Sequence, residues 1–171
     1  MYQIDTHDKV VELRDLPQMD PAAPLPALVA NEQYVDLIYL IVEQDPDWDG
    51  TTSTMVTTDT ERGQVACIRF DRVWSHSWGA PGDETLVSHP LAARGLTYYS
   101  VFEVLNSSWV RLLERMNSVH PRHSPSFFDS ARHFIFTFHD STFECVADSY
   151  EARVARGSIA SVAATLPSTW R

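Results

Sequence analysis

Along residues 132–149, RHFIFTFHDSTFECVADS, apolar and polar positions alternate at period two on both sides of a polar break, which predicts a β-hairpin. A four-residue HDST loop pairs Phe138 with Phe143, Phe136 with Cys145 and Phe134 with Ala147 on an aromatic face. On the opposite face the same register pairs Thr137 with Glu144, Ile135 with Val146 and His133 with Asp148. Residues 107–119 follow a different period: Trp109, Leu112, Leu113, Met116 and Val119 fall on one stripe at helical spacing. Asn106 or Ser107 can cap that helix, and Pro121 stops it.

Residues 34–42, YVDLIYLIV, are nearly continuous in β-branched and aromatic side chains and predict a strand covered on both faces. Further strands are expected at 10–16, 53–58 and 64–74, the last two joined by a turn in DTERGQ. Residues 17–27, PQMDPAAPLPA, hold four prolines and must be an extended connection. Residues 78–99 break all periodicity with Gly79, Pro81, Gly82, Pro90 and Gly95, so a long loop with one or two short turns is expected there. Residues 150–166 favour a second helix, interrupted by Gly157 and closed by Pro167. Together these elements predict a single α+β domain over 1–171: a mostly antiparallel sheet of five or six strands, one face covered by two helices.

The chain's 171 residues are 44% hydrophobic and 21% charged, enough for one buried core without metal or disulfide staples. No apolar run is long enough for a membrane helix, and residues 1–15 lack the regions of a signal peptide, so a cytoplasmic location is expected. Cys67 and Cys145 are then expected to be reduced and buried. A formal charge of -10 repels phosphate backbones and anionic lipid, which excludes nonspecific nucleic-acid and membrane binding and leaves small molecules or basic proteins as partners. Only Lys9 among the basic residues is lysine, a bias expected of a GC-rich coding genome.

No complete catalytic or cofactor motif is present, and no cofactor is expected. DPDWDG at 45–50 matches the opening of a calcium loop, but the twelfth position, which needs a bidentate Glu, is Val56. Six of the seven histidines lie between His76 and His139 without CxxC or HExxH spacing, so no metal set is assigned. Cys145 is expected on the phenylalanine face as an inert thiol. His133, Asp148 and Glu144 share the other face, with the residue types of an acid–base set: His133 as base, Asp148 orienting it and Glu144 as second acid or base. Trp74, His76 and Trp78 share strand parity and could face a ligand, joined by Asp83, Glu84 and His89 if the long loop folds over the sheet.

The motifs WGAPGDE at 78–84, HPLAARGL at 89–96, EVLNSSW at 103–109 and HFIFTFHDSTFECVA at 133–147, with VELRDLP at 11–17, resemble a family of small uncharacterised bacterial proteins. The resemblance covers most of the chain. It implies that loop, helix and hairpin belong to one domain, and it transfers no activity, ligand or catalytic residue.

Two functional expectations follow. One is a cytosolic binding domain for a protein partner or small molecule, using the sheet face of His133, Glu144 and Asp148 together with the loop from Asp83 to His89. Its acidity would suit a basic partner, as in an inhibitor or immunity protein. The other is a small enzyme using His133, Glu144 and Asp148 in acid–base or metal-assisted chemistry.

Overall fold

The computed structural model describes residues 2–42, 51, 55–61 and 63–169. Its strands are β1 (Lys9–Glu12), β2 (Ala27–Ala30), β3 (Tyr34–Leu40), β4 (Gln64–Gly79), β5 (Val101–Leu105), β6 (Arg132–Thr137) and β7 (Thr142–Arg156). They form one sheet in the order β1-β5-β6-β7-β4-β3-β2, antiparallel at every pairing. Helices α1 (Ser108–Asn117) and α2 (Ile159–Thr169) pack against it. The class is α+β as expected, with seven strands rather than five or six. The additions are β2, beside the proline-rich segment, and β5, at the end of the long loop; both are too short to carry a periodic signal.

Of the strand expected at 53–58, residues 55–58 are loop and turn, and the earlier ones lie outside the described residues. The acidic run at 45–50 also lies outside them. Residues 150–156, expected to be helical, continue β7 instead, because Gln64–Phe70 of β4 offers them a partner at every position. Tertiary pairing here overrides the helix preference of Ala, Glu and Arg. The chain turns from β7 into α2 at Gly157, whose φ of +141° is open to glycine and where a Cβ would meet Ser161 Oγ at 2.7 Å.

The sheet is strongly coiled. β3 and β6 are three places apart, so a flat sheet would separate them by about 14 Å. The Tyr39 ring nevertheless lies 6.1 Å from Phe136 and 5.6 Å from Phe138, and Phe70 of β4 lies 5.4 Å from Phe134. The concave face therefore closes on its own aromatic core, with Cys145 fully buried in it. The proline-rich segment spans the opening between the sheet's edges. Leu13 N donates to Val101 O at one side, and Asp20 N and Val42 N bond across to Leu40 O and Gln18 O at the other. Both helices cover the convex face: α1 over Phe102, Ile135 and Val146, α2 over Ile38, Leu40 and Val65.

Two local irregularities decide where the chemistry-bearing side chains go. The β6–β7 hairpin closes through the two-residue turn His139-Asp140, with Phe138 N donating to Ser141 O, rather than through a four-residue loop. The register moves by two residues, so each side chain keeps its face but changes its partner. A bulge in β4 sets two residues, Val73 and Ser75 with Trp74 between them, against consecutive residues of β7 and reverses the alternation there.

Candidate functional site

Glu144 is the hub of a buried polar network on the convex face. In the observed register it faces Ile135, and His133, opposite Val146, becomes its diagonal neighbour. Its Oε2 accepts from Tyr2 Oη at 2.6 Å and His133 Nε2 at 3.0 Å, while Oε1 accepts from His89 Nε2 at 3.2 Å. The long loop does fold over the sheet, and that is how His89, just past the 3-10 turn Asp83–Ser88, reaches the hub. Leu91 N donates to His89 Nδ1 at 3.1 Å, which leaves Nε2 as the hydrogen-bearing nitrogen.

Ser107 completes the chain of bonds. Its Oγ accepts from Trp109 N and Val110 N as the cap of α1 and lies 2.9 Å from His133 Nδ1. With both lone pairs engaged, its hydroxyl hydrogen goes to Nδ1, so His133 in turn donates through Nε2 to Glu144. The Tyr2 ring stacks on Trp109 at 5.1 Å and meets the His133 ring edge-on, sealing the network. Burial pushes the Glu144 carboxyl up, but the hydrogen bonds from His133, His89 and Tyr2 outweigh it and hold the group well below the usual carboxylate range. Burial, with the Glu144 charge beside it, pushes the Tyr2 hydroxyl up.

This arrangement locks an ionised carboxylate in place by satisfying it. His133 has 0% exposure and both ring nitrogens engaged. Replacing Ser107 with alanine should cost about 2 kcal/mol, from the lost cap and an unpaired His133 nitrogen, with threonine recovering most of it. Thermal unfolding of the two variants tests this; an unchanged midpoint for the alanine variant would remove Ser107 from the network.

Asp148 does not join His133. In the observed register its position across the hairpin falls beyond the start of β6, and it turns to β4, accepting from Trp74 Nε1 at 2.9 Å and pairing with Arg72 at 3.1 Å. Trp74 is also separated from its expected companions. The bulge sends it to the convex side against the Phe128 ring at 4.2 Å, while His76 and Trp78 stay opposite Cys145 and Phe143 near the concave face.

A second constellation lies on the surface at the hairpin turn. Asp83 N donates to His139 O at 2.8 Å, a close approach that Gly82 permits, since a Cβ there would lie 2.8 Å from the same carbonyl oxygen. Tyr99 Oη donates to Asp83 Oδ2, and Glu84 N to Asp83 Oδ1. The bond from Tyr99 is the main reason the Asp83 carboxyl is held down, and the same bond raises the Tyr99 hydroxyl to about 12. Asp140 bonds to His139 Nδ1 at 3.0 Å, and that contact, then Asp83, raises the imidazole. Trp78 Nε1 donates to Ser141 Oγ at 3.0 Å, which brings its exposed ring to the same turn. Glu84 and Tyr98 stand exposed alongside.

Of the candidate residues named from the sequence, His133, Glu144 and His89 come together in the buried network and Asp83, Glu84 and Trp78 at the turn. Tyr2, Ser107 and Tyr99, which join them there, were not among those candidates. Ser107 carried a signal only as a helix cap, and Tyr2 carried none. Among the described residues no group of three or more His, Cys, Asp or Glu side chains could hold a metal ion, and no helix is long and apolar enough to cross a membrane. Compared with known proteins, the chain matches no family model, no curated protein and no solved structure.

Proposed function

We propose that this protein is a cytosolic binding domain for a basic protein partner, engaged through the acidic, aromatic rim at the hairpin turn. The observation that carries the reading is the rim itself: Asp83, Glu84 and Asp140 beside exposed Trp78 and Tyr98. Among the described residues no lysine or arginine pairs with these three carboxylates. Exposed aromatic rings and carboxylates whose only cationic neighbour is the His139 imidazole attract arginine and lysine, through cation–π contact and charge, and steer their approach. The formal charge of -10 favours the same class of partner and disfavours nucleic acid. Both cysteines are free and buried, which suits a reducing compartment.

The enzyme reading has less support. Its base would be His133, which has no exposed surface and no free nitrogen, and its orienting acid would be Asp148, which is committed to Trp74 and Arg72.

Titration with an oligoarginine peptide, with two variants of equal net charge, tests the proposal. Glu84→Gln with Asp140→Asn should weaken binding by at least about tenfold, whereas Glu32→Gln with Asp59→Asn should leave it within about twofold. Equal weakening by both pairs would reduce the effect to net charge and sink the rim as the site.

A further inference from the structure

The acidic rim does not end at Glu84. The 3-10 turn Asp83–Ser88 carries carboxylates at its start and apolar side chains at its end, where Leu86 and Val87 meet Ala92, Ala93 and Leu96 across a shallow groove of about 340 Å³. Leu86 and Leu96 are buried and form its floor. Val87, at 82% exposure, and Tyr98, at 54%, form walls that stand in solvent. An apolar floor flanked by exposed apolar walls gives an incoming apolar side chain surface on which to leave water. On the other side of Tyr98 lies a cup of about 260 Å³ lined by Asp83, Glu84, Tyr98 and Tyr99. Tyr98 lines both, so the apolar groove and the acidic cup adjoin at its ring as the two halves of a shallow, open surface channel.

Charge complementarity selects the occupant. Asp83 is already held by Tyr99 and the Glu84 amide. Among the described residues no side chain pairs with the exposed Glu84 carboxylate, which a purely apolar ligand would leave without a partner, and a compact small molecule would leave most of so open a channel in water. An extended peptide carrying a cationic and an apolar side chain fills both halves, with the guanidinium or ammonium group against the faces of Tyr98 and Tyr99 and between the carboxylates. We infer that this channel docks an extended segment of the basic partner, an Arg or Lys side chain entering the cup and an apolar side chain of the same segment lying on Leu86 and Leu96. The inference rests on the binding-domain reading and adds the groove, which that reading does not need.

A selection from a random peptide library displayed against the intact protein tests it. The expected result is an enriched sequence pairing Arg or Lys with a nearby apolar residue. The affinity of a synthetic copy of that sequence should fall by about tenfold or more both for Glu84→Gln and for Val87→Glu. Both positions are exposed, and circular dichroism melts should confirm that both variants keep the wild-type fold. An enriched basic peptide that is indifferent to Val87→Glu and to a groove-filling Ala93→Phe would overturn the groove while leaving the basic-partner reading standing. Enriched sequences lacking Arg and Lys would overturn both. No enriched sequence at all would overturn the channel as a peptide site, and the oligoarginine titration would then decide the wider reading separately.

Discussion

Replacing Glu144 with glutamine is expected to lower the unfolding free energy by about 3–5 kcal/mol, one of the two largest effects of any single substitution proposed for this chain. The size follows from what is left behind. Tyr2, His89 and His133 all donate to one buried carboxylate. An amide offers one accepting oxygen and turns its own N–H groups toward a remaining donor. Urea unfolding followed by tryptophan fluorescence should show the midpoint falling with the slope unchanged. A loss under about 1 kcal/mol would mean that the network contributes nothing net beyond packing.

The same substitution should change how stability depends on pH. Glu144 titrates lower in the folded chain than its ordinary value of 4.5, so below that value the unfolded chain binds the proton first. The carboxylate's contribution is therefore complete above about pH 4.5 and is lost as pH falls toward the lower folded value. Wild type should lose stability on acidification more steeply than Glu144→Gln. Parallel acid limbs in the two proteins would show that Glu144 titrates alike in both states.

Elements with a long, clean period were legible in the sequence, and contacts set by register were not. The stripe of Trp109, Leu112 and Leu113 and the cap Ser107 gave α1 and its packed face, although Met116 and Val119, counted on the same stripe, stand exposed and the helix stops at Asn117. The alternation of Phe134, Phe136 and Cys145 gave the correct faces of the hairpin. Face survives a two-residue slip; partner identity does not. That slip is why Asp148 was expected beside His133 when Glu144 stands there instead. The hub was half legible for a second reason: its donors come from positions 2, 89 and 133, brought together by a folded-over loop and an N-terminal segment without periodicity. Trp74 was misplaced because a bulge inserts one residue, and nothing in the alternation of residues 64–74 announces it.

The second large effect is expected at Phe70, where alanine should cost about 3–5 kcal/mol. Phe70 projects from β4 into the concave face, and its ring lies 5.4 Å from Phe134, 5.9 Å from Phe136, 5.8 Å from Phe143 and 6.4 Å from Tyr150. A flat sheet would bring it only to its neighbours on β3 and β7. The contacts with β6 exist because the sheet coils, so the ring links strands that share no hydrogen bonds. Truncation leaves a cavity lined by rigid rings on several strands, which cannot collapse without uncoiling the sheet. Val154→Ala, on the same sheet but 49% exposed, should cost no more than about 0.5 kcal/mol. Phe70→Ala combined with Phe136→Ala should depart from additivity by about 0.5 kcal/mol or more, because the two rings share one cavity. Additive losses would show that the concave face does not close on itself and that each strand holds its own aromatics independently.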